Sequence, residues 1–126
     1  MKRAALALVL MLVAASVFAG PSVTRHAFTR QILGREPIGD GSTFDSKVGN
    51  LYFFINVVGA DTPQEITHTW VYNGQTVNEV TLHIEGENWR TWSNTNIPPE
   101  SLGEWTVIVR DSKGETIYTA AFTVTK

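Results

Sequence analysis

Two β-rich runs joined by Asn73-Gly74 constrain this chain more than any other stretch. Glu65 to Tyr72 reads Glu-Ile-Thr-His-Thr-Trp-Val-Tyr, and Gln75 to Ile84 reads Gln-Thr-Val-Asn-Glu-Val-Thr-Leu-His-Ile. Asn and Gly both tolerate the positive φ of a type I′ turn, so the pattern predicts a tight β-hairpin. Extended through Trp92, the same stretch holds two of the three histidines and three of the four tryptophans. Any binding or catalytic site is therefore expected to touch it.

The register follows from the turn. A regular hairpin sets Tyr72 opposite Gln75 and Trp70 opposite Val77, but its continuation puts Val80, Leu82 and Ile84 on the opposite face from Trp70 and Ile66. One extra residue near Asn78-Glu79 corrects the phase. With that bulge, Ile66, His68, Trp70, Val77, Val80, Leu82 and Ile84 share a buried face, while Glu65, Thr67, Thr69, Thr81 and His83 lie outside. Trp89 to Ser93 then forms a short strand after the Glu85 to Asn88 turn. Because Arg resists burial more than Thr, Trp89 is placed inward and Arg90 with Trp92 outward. Pairing of this strand back onto the hairpin would set His83 opposite Arg90 and Thr81 opposite Trp92.

The remaining chain supplies the partner strands. Ser22 to Ile32 carries charge on both faces, which suits an edge strand. Gly34 to Gly49 is rich in Gly, Pro, Asp and Ser and is expected to be a long loop. Leu51 to Val58 is almost continuously apolar, the mark of a central strand. Asn94 to Leu102, with Pro98-Pro99, is expected to be a loop. Trp105, Val107 and Val109 alternate inward on the next strand, and Asp111-Ser112-Lys113-Gly114 closes a hairpin. In the last strand Ile117 and Phe122 fall out of phase, which a second bulge would reconcile. About seven strands and no convincing helix predict an all-β fold, an immunoglobulin-like antiparallel β-sandwich.

Residues 1–19 have the order of a signal peptide: basic Lys2 and Arg3, an apolar run over 4–17, then Val17-Phe18-Ala19. Cleavage after Ala19 is expected, giving a periplasmic or secreted protein with no stable membrane span and one domain over 20–126. That part holds eight basic and twelve acidic residues, a formal charge of −4. Nucleic-acid binding, which favours a basic stripe, is not expected. There is no cysteine, so stability must come from apolar packing without disulfides.

Arg35-Glu36-Pro37, Leu51-Tyr52-Phe53-Phe54, Thr67-His68-Thr69-Trp70, Tyr72-Asn73-Gly74, Trp89-Arg90-Thr91-Trp92-Ser93 and Gly103-Glu104-Trp105 follow one another in this chain. In that order they resemble a bacterial family called domain of unknown function 2914. The resemblance implies a bacterial exported or membrane-linked module and brings no established activity. The family's pattern has a basic residue at the position of Thr69 and often a Lys near Thr95, so an anionic contact made there would be lost in this chain.

Catalysis finds little support. There is no cysteine, no Gly-x-Ser-x-Gly elbow and no Ser placed by local sequence beside a His. Glu85 and Glu87 form a carboxylate pair beside Trp89, but two acids on a tight turn are normally solvated. An envelope-glycan hydrolase using Glu85 and Glu87, or the His68 region, is the competing expectation. The register separates His68 from His83, so no metal site and no cofactor are expected, and His68 is expected to be a hydrogen-bonded core residue near Trp70. Recognition remains. Arg beside an exposed aromatic side chain favours interfaces and sugar stacking, which selects Arg90, Trp92, His83 and Thr81 as candidate binding residues for a protein partner or a cell-envelope polysaccharide.

Overall fold

A computed structural model describes residues 20–126, which carry ten β-strands and no helix. The signal-peptide and cleavage expectations concern 1–19 and lie outside the described residues. Seven strands have eight or more residues: β1 (Ser22–Thr29), β5 (Gly49–Val58), β6 (Gln64–Tyr72), β7 (Gln75–Ile84), β8 (Asn88–Ile97), β9 (Gly103–Arg110) and β10 (Thr116–Thr125). Three have three residues each: β2 (Gln31–Leu33), β3 (Glu36–Ile38) and β4 (Thr43–Asp45). The seven long strands build the expected immunoglobulin-like sandwich. One sheet has the order β1-β5-β8 and the other β4-β10-β9-β6-β7. Among these pairings only β4 with β10 is parallel.

Aromatic side chains fill the space between the sheets. Trp70 projects from β6 against Phe28, Phe53 and Phe122, with ring centroids 6.2–6.5 Å apart and the rings steeply inclined. Phe122 stacks on Trp105 at 5.7 Å, and Tyr72 stacks on the same Trp105 at 4.9 Å. With no cysteine in the chain, this aromatic packing joins the two sheets without a disulfide.

The β6–β7 hairpin forms as its sequence predicts, with Asn73 at φ 53° and Gly74 at φ 73°. His68 pairs with Val80, Ile66 with Leu82 and Glu65 with His83. The bulge, however, sits at Val77: the register changes between Val71↔Thr76 and Trp70↔Asn78. As the extra residue, Val77 turns outward and is 45% exposed, where burial was expected. Thr69 corrects the expectation in the other direction. It lies on the outer face yet is buried, because Glu79 Oε2 accepts its hydroxyl at 3.0 Å and Arg110 Nη1 donates to it at 3.3 Å.

Three further expectations are corrected. β8 continues four residues past Ser93, because Ser93, Thr95 and Ile97 alternate inward and pair along β5 where a loop was expected. β8 belongs to the β1-β5-β8 sheet and does not pair with β7. The span 34–49 is not a single loop: it closes the β2–β3 hairpin and contributes β4 to the edge of the larger sheet. Strands of three residues are too short to show a period. The bulge in β10 falls at Ile117, which lets Ile117 pack against the core although it is out of phase with Tyr118, Ala120 and Phe122, the reconciliation of Ile117 with Phe122 that a second bulge was expected to bring.

Candidate functional site

The outer face of the smaller sheet is set by two rows of side chains. Ala27, Phe54 and Trp92 stand abreast on β1, β5 and β8, and beside them stand Arg25, Asn56 and Arg90. Phe54 would be a large apolar group open to water. Trp92 stacks on it, with centroids 6.4 Å apart and planes 15° from parallel, and the Arg25 guanidinium lies 5.0 Å from its ring centroid. Phe54 is consequently fully buried. The β2–β3 hairpin then folds over this face. Its Glu36 bridges the two flanking cations, at 2.7 Å to Arg25 Nη2 and 2.7 Å to Arg90 Nη1. Hydrogen bonds from Arg25 and then Arg90 hold the Glu36 carboxyl at a pKa of about 2.

The same hairpin delivers Arg35. Gly34 and Arg35 form its two-residue turn, with φ of 58° and 64°. From there the Arg35 side chain reaches the edge of β8, where Nη2 donates to the Arg90 carbonyl at 3.1 Å. Its guanidinium carbon lies 5.8 Å from the Trp89 ring centroid and 5.7 Å from that of Trp92, within cation–π range of both. Arg35, His83, Trp89, Arg90, Thr91 and Trp92 line an open groove of about 270 Å³.

Of the residues expected from sequence, Arg90, Trp92 and His83 meet at this groove. Trp92 is half-buried. His83 arrives from the edge of the other sheet, with Nδ1 3.6 Å from Glu65 Oε2. Thr81 pairs with Thr67 and does not line the groove. Arg25, Arg35 and Glu36 were not anticipated. A signal for them existed in Gln-Ile-Leu-Gly-Arg-Glu-Pro-Ile over 31–38, where a Gly and one more residue separate two short β-prone segments.

Residues 63–124 match the model of a family described as protein of unknown function, DUF2914. Over those residues the chain is similar to the DUF2914 family. No curated protein sequence matches this chain. Among solved structures, the crystal structure of beta-D-glucoside glucohydrolase from Trichoderma reesei is similar, at 11% identity and a TM-score of 0.48. The likeness covers 86% of this chain but only 19% of that enzyme, and it is too weak to bear on function.

The DUF2914 segment supplies every groove residue except Arg35. It also contains the polar centre of the core. Ser93, on the inward face of β8, accepts the Trp70 indole N–H at 3.1 Å and lies 2.7 Å from His68 Nδ1. His68 is fully buried, its ring 4.9 Å from Phe53, and Nε2 has no partner among the described residues. Burial pushes the His68 pKa down to about 3, so the ring is neutral near pH 7. His68 is thus the hydrogen-bonded core residue expected beside Trp70, and no solvent reaches it.

The other chemistry-bearing groups of the DUF2914 segment are dispersed. Glu85 and Glu87 are exposed on the turn before β8. Among the described residues no three His, Asp or Glu side chains converge as metal ligands would. No helix among them is long and apolar enough to cross a membrane.

Proposed function

We propose that this protein is an exported, non-catalytic binding module that holds an anionic partner, a protein or a cell-envelope polymer, in the groove beside β8. The observation that carries this reading is the groove's composition. Its walls present Arg35, Arg90, His83 and two indoles; Glu36 and Glu65 flank it as the partners of Arg90 and His83, so among the described residues Arg35 is the groove cation with no carboxylate partner, in a domain whose residues 20–126 carry a formal charge of −4. A local cationic site on an acidic surface selects anions by contrast with its surroundings. The planar Arg forks supply directed donors, and the indoles supply contact area at low entropic cost. Export rests on the basic, apolar and small-residue order of 1–19.

Titration of tryptophan fluorescence with polyglutamate and with oligogalacturonate tests the reading. Saturable, salt-sensitive binding to at least one probe is expected, weakened by about 2 kcal/mol in Trp92→Ala or Arg90→Ala as for an interface anchor. The probes should emerge with unchanged mass. Absence of binding to both probes overturns the assignment, and cleavage of either overturns the non-catalytic part. Intact-mass analysis of envelope-fraction protein checks export: a species still carrying Met1 would contradict cleavage after Ala19.

A further inference from the structure

The four sheet edges are not equally protected against an added strand. β1 carries a bulge between Val23 and Arg25, β7 carries one at Val77, and β4 is only three residues long. β8 has none of these devices. It runs ten residues in unbroken register with β5, contains no proline, and bears one charged side chain, Arg90.

Its unpaired backbone groups can be assigned. Alternate residues of an antiparallel strand turn both N–H and C=O to the same side. The Arg90 carbonyl accepts from Arg35, and the Asn94 carbonyl accepts from Asn78 Nδ2 at 3.3 Å. Even-numbered residues of β8 therefore face away from β5. Asn78 bridges β7 to β8 at Asn94 and Thr95, so among the described residues the flank is closed there and open over Asn88 to Trp92. That open stretch is the groove.

We propose that β8 accepts an extended peptide as an added strand over Asn88 to Trp92, and that the peptide alternates acidic with apolar residues. The proposal rests on the anionic-groove reading and specifies its partner. Main-chain bonds would form to Arg90 and Trp92. An incoming N–H takes over the Arg90 carbonyl and frees the Arg35 fork for a carboxylate, while side chains of the opposite parity pack toward Trp89 and Thr91. Charge complementarity selects the acidic face, and the bare backbone selects a peptide over a sugar.

The test uses the purified protein and a blocked heptapeptide of alternating valine and glutamate. Two N-methylated forms carry the methyl on the valine amides or on the glutamate amides, and oligogalacturonate provides carboxylates without amides. Saturable binding is expected, with slowed exchange of the Arg90 and Trp92 amide protons. One methylated form should bind at least about tenfold more weakly while the other is little changed, because a strand uses one set of amides toward its neighbour. Equal binding of both methylated forms, or oligogalacturonate binding where the peptide does not, overturns strand addition and leaves the anionic groove standing. Failure of all probes overturns both.

Discussion

The two tightest hairpins share a turn geometry and differ in almost everything else. Asn73-Gly74 and Gly34-Arg35 each place two consecutive residues at positive φ, between 53° and 73°. The first uses residues that accept this conformation and joins strands of nine and ten residues, one of which drives Ile66, His68 and Trp70 into the core. The second places an arginine where a non-glycine residue costs roughly 1–2 kcal/mol, joins three-residue strands, and is tied to the outer face through Glu36. Local preference and tertiary demand agree in the scaffold hairpin and conflict in the groove hairpin. Such conflicts are expected where a side chain is positioned for use.

The largest effect that would sharpen this contrast is loss of the Trp70 anchor. Trp70→Ala empties space among three aromatic rings and leaves Ser93 without its indole donor, so a loss of about 3–5 kcal/mol is expected in urea unfolding. A smaller loss than that of Trp92→Ala would break the distinction between scaffold and groove.

The second effect is in the pH dependence. His68 titrates near 6.5 when unfolded and near 3 when folded. Its contribution is fully present above pH 6.5 and is lost as pH falls toward 3, with a slope of at most about 1.4 kcal/mol per pH unit. Glu36, lowered from 4.5 to about 2, adds acid sensitivity only below pH 4.5. His26, whose pKa is lowered chiefly by burial, acts with the same sign as His68. Comparing wild type with His68→Gln between pH 6.5 and 4.5 therefore isolates the core histidine. The variant should start less stable and show a shallower decline. An unchanged slope would mean that His68 is solvated in the folded state.

What the sequence disclosed follows the same division. The Asn-Gly turn, the inward parity of Trp89, the outward parity of Arg90 and Trp92, and the core role of His68 all follow from period two and from the cost of burying charge. The partner of β8 was not legible: a ten-residue strand carries no record of whether it joins the hairpin before it or β5 across the fold. Val77 was assigned inward because its polarity suits the core, but the bulge fell one residue earlier than polarity alone suggested. Arg35 was hidden because three-residue strands show no period, and its position depends on Glu36 meeting cations from β1 and β8.

On the groove side, Trp92→Ala removes a half-buried indole and uncovers Phe54. A loss of about 1–2 kcal/mol is expected in the same urea experiment, smaller than for Trp70 because solvent can reach the vacated space. Binding should fall by a comparable or larger amount. Loss of stability equal to that of Trp70→Ala would make Trp92 a core residue and remove the proposed surface.

The smallest effect on stability is the sharpest on function. Arg35→Gly relieves the left-handed strain, adds unfolded-chain entropy of roughly 0.5–1 kcal/mol, and deletes cation–π contacts of about 0.5–1 kcal/mol each at an exposed site. These terms oppose one another, so stability should change by no more than about 1 kcal/mol, while the groove loses one of its two guanidiniums and about tenfold in affinity for an acidic probe. Arg35→Lys separates charge from geometry. It keeps the cation but replaces the planar fork with a point charge, so it should restore only part of the affinity. If Arg35→Gly binds as well as wild type, the arginine serves the turn's own contacts, and the strained position has no recognition role.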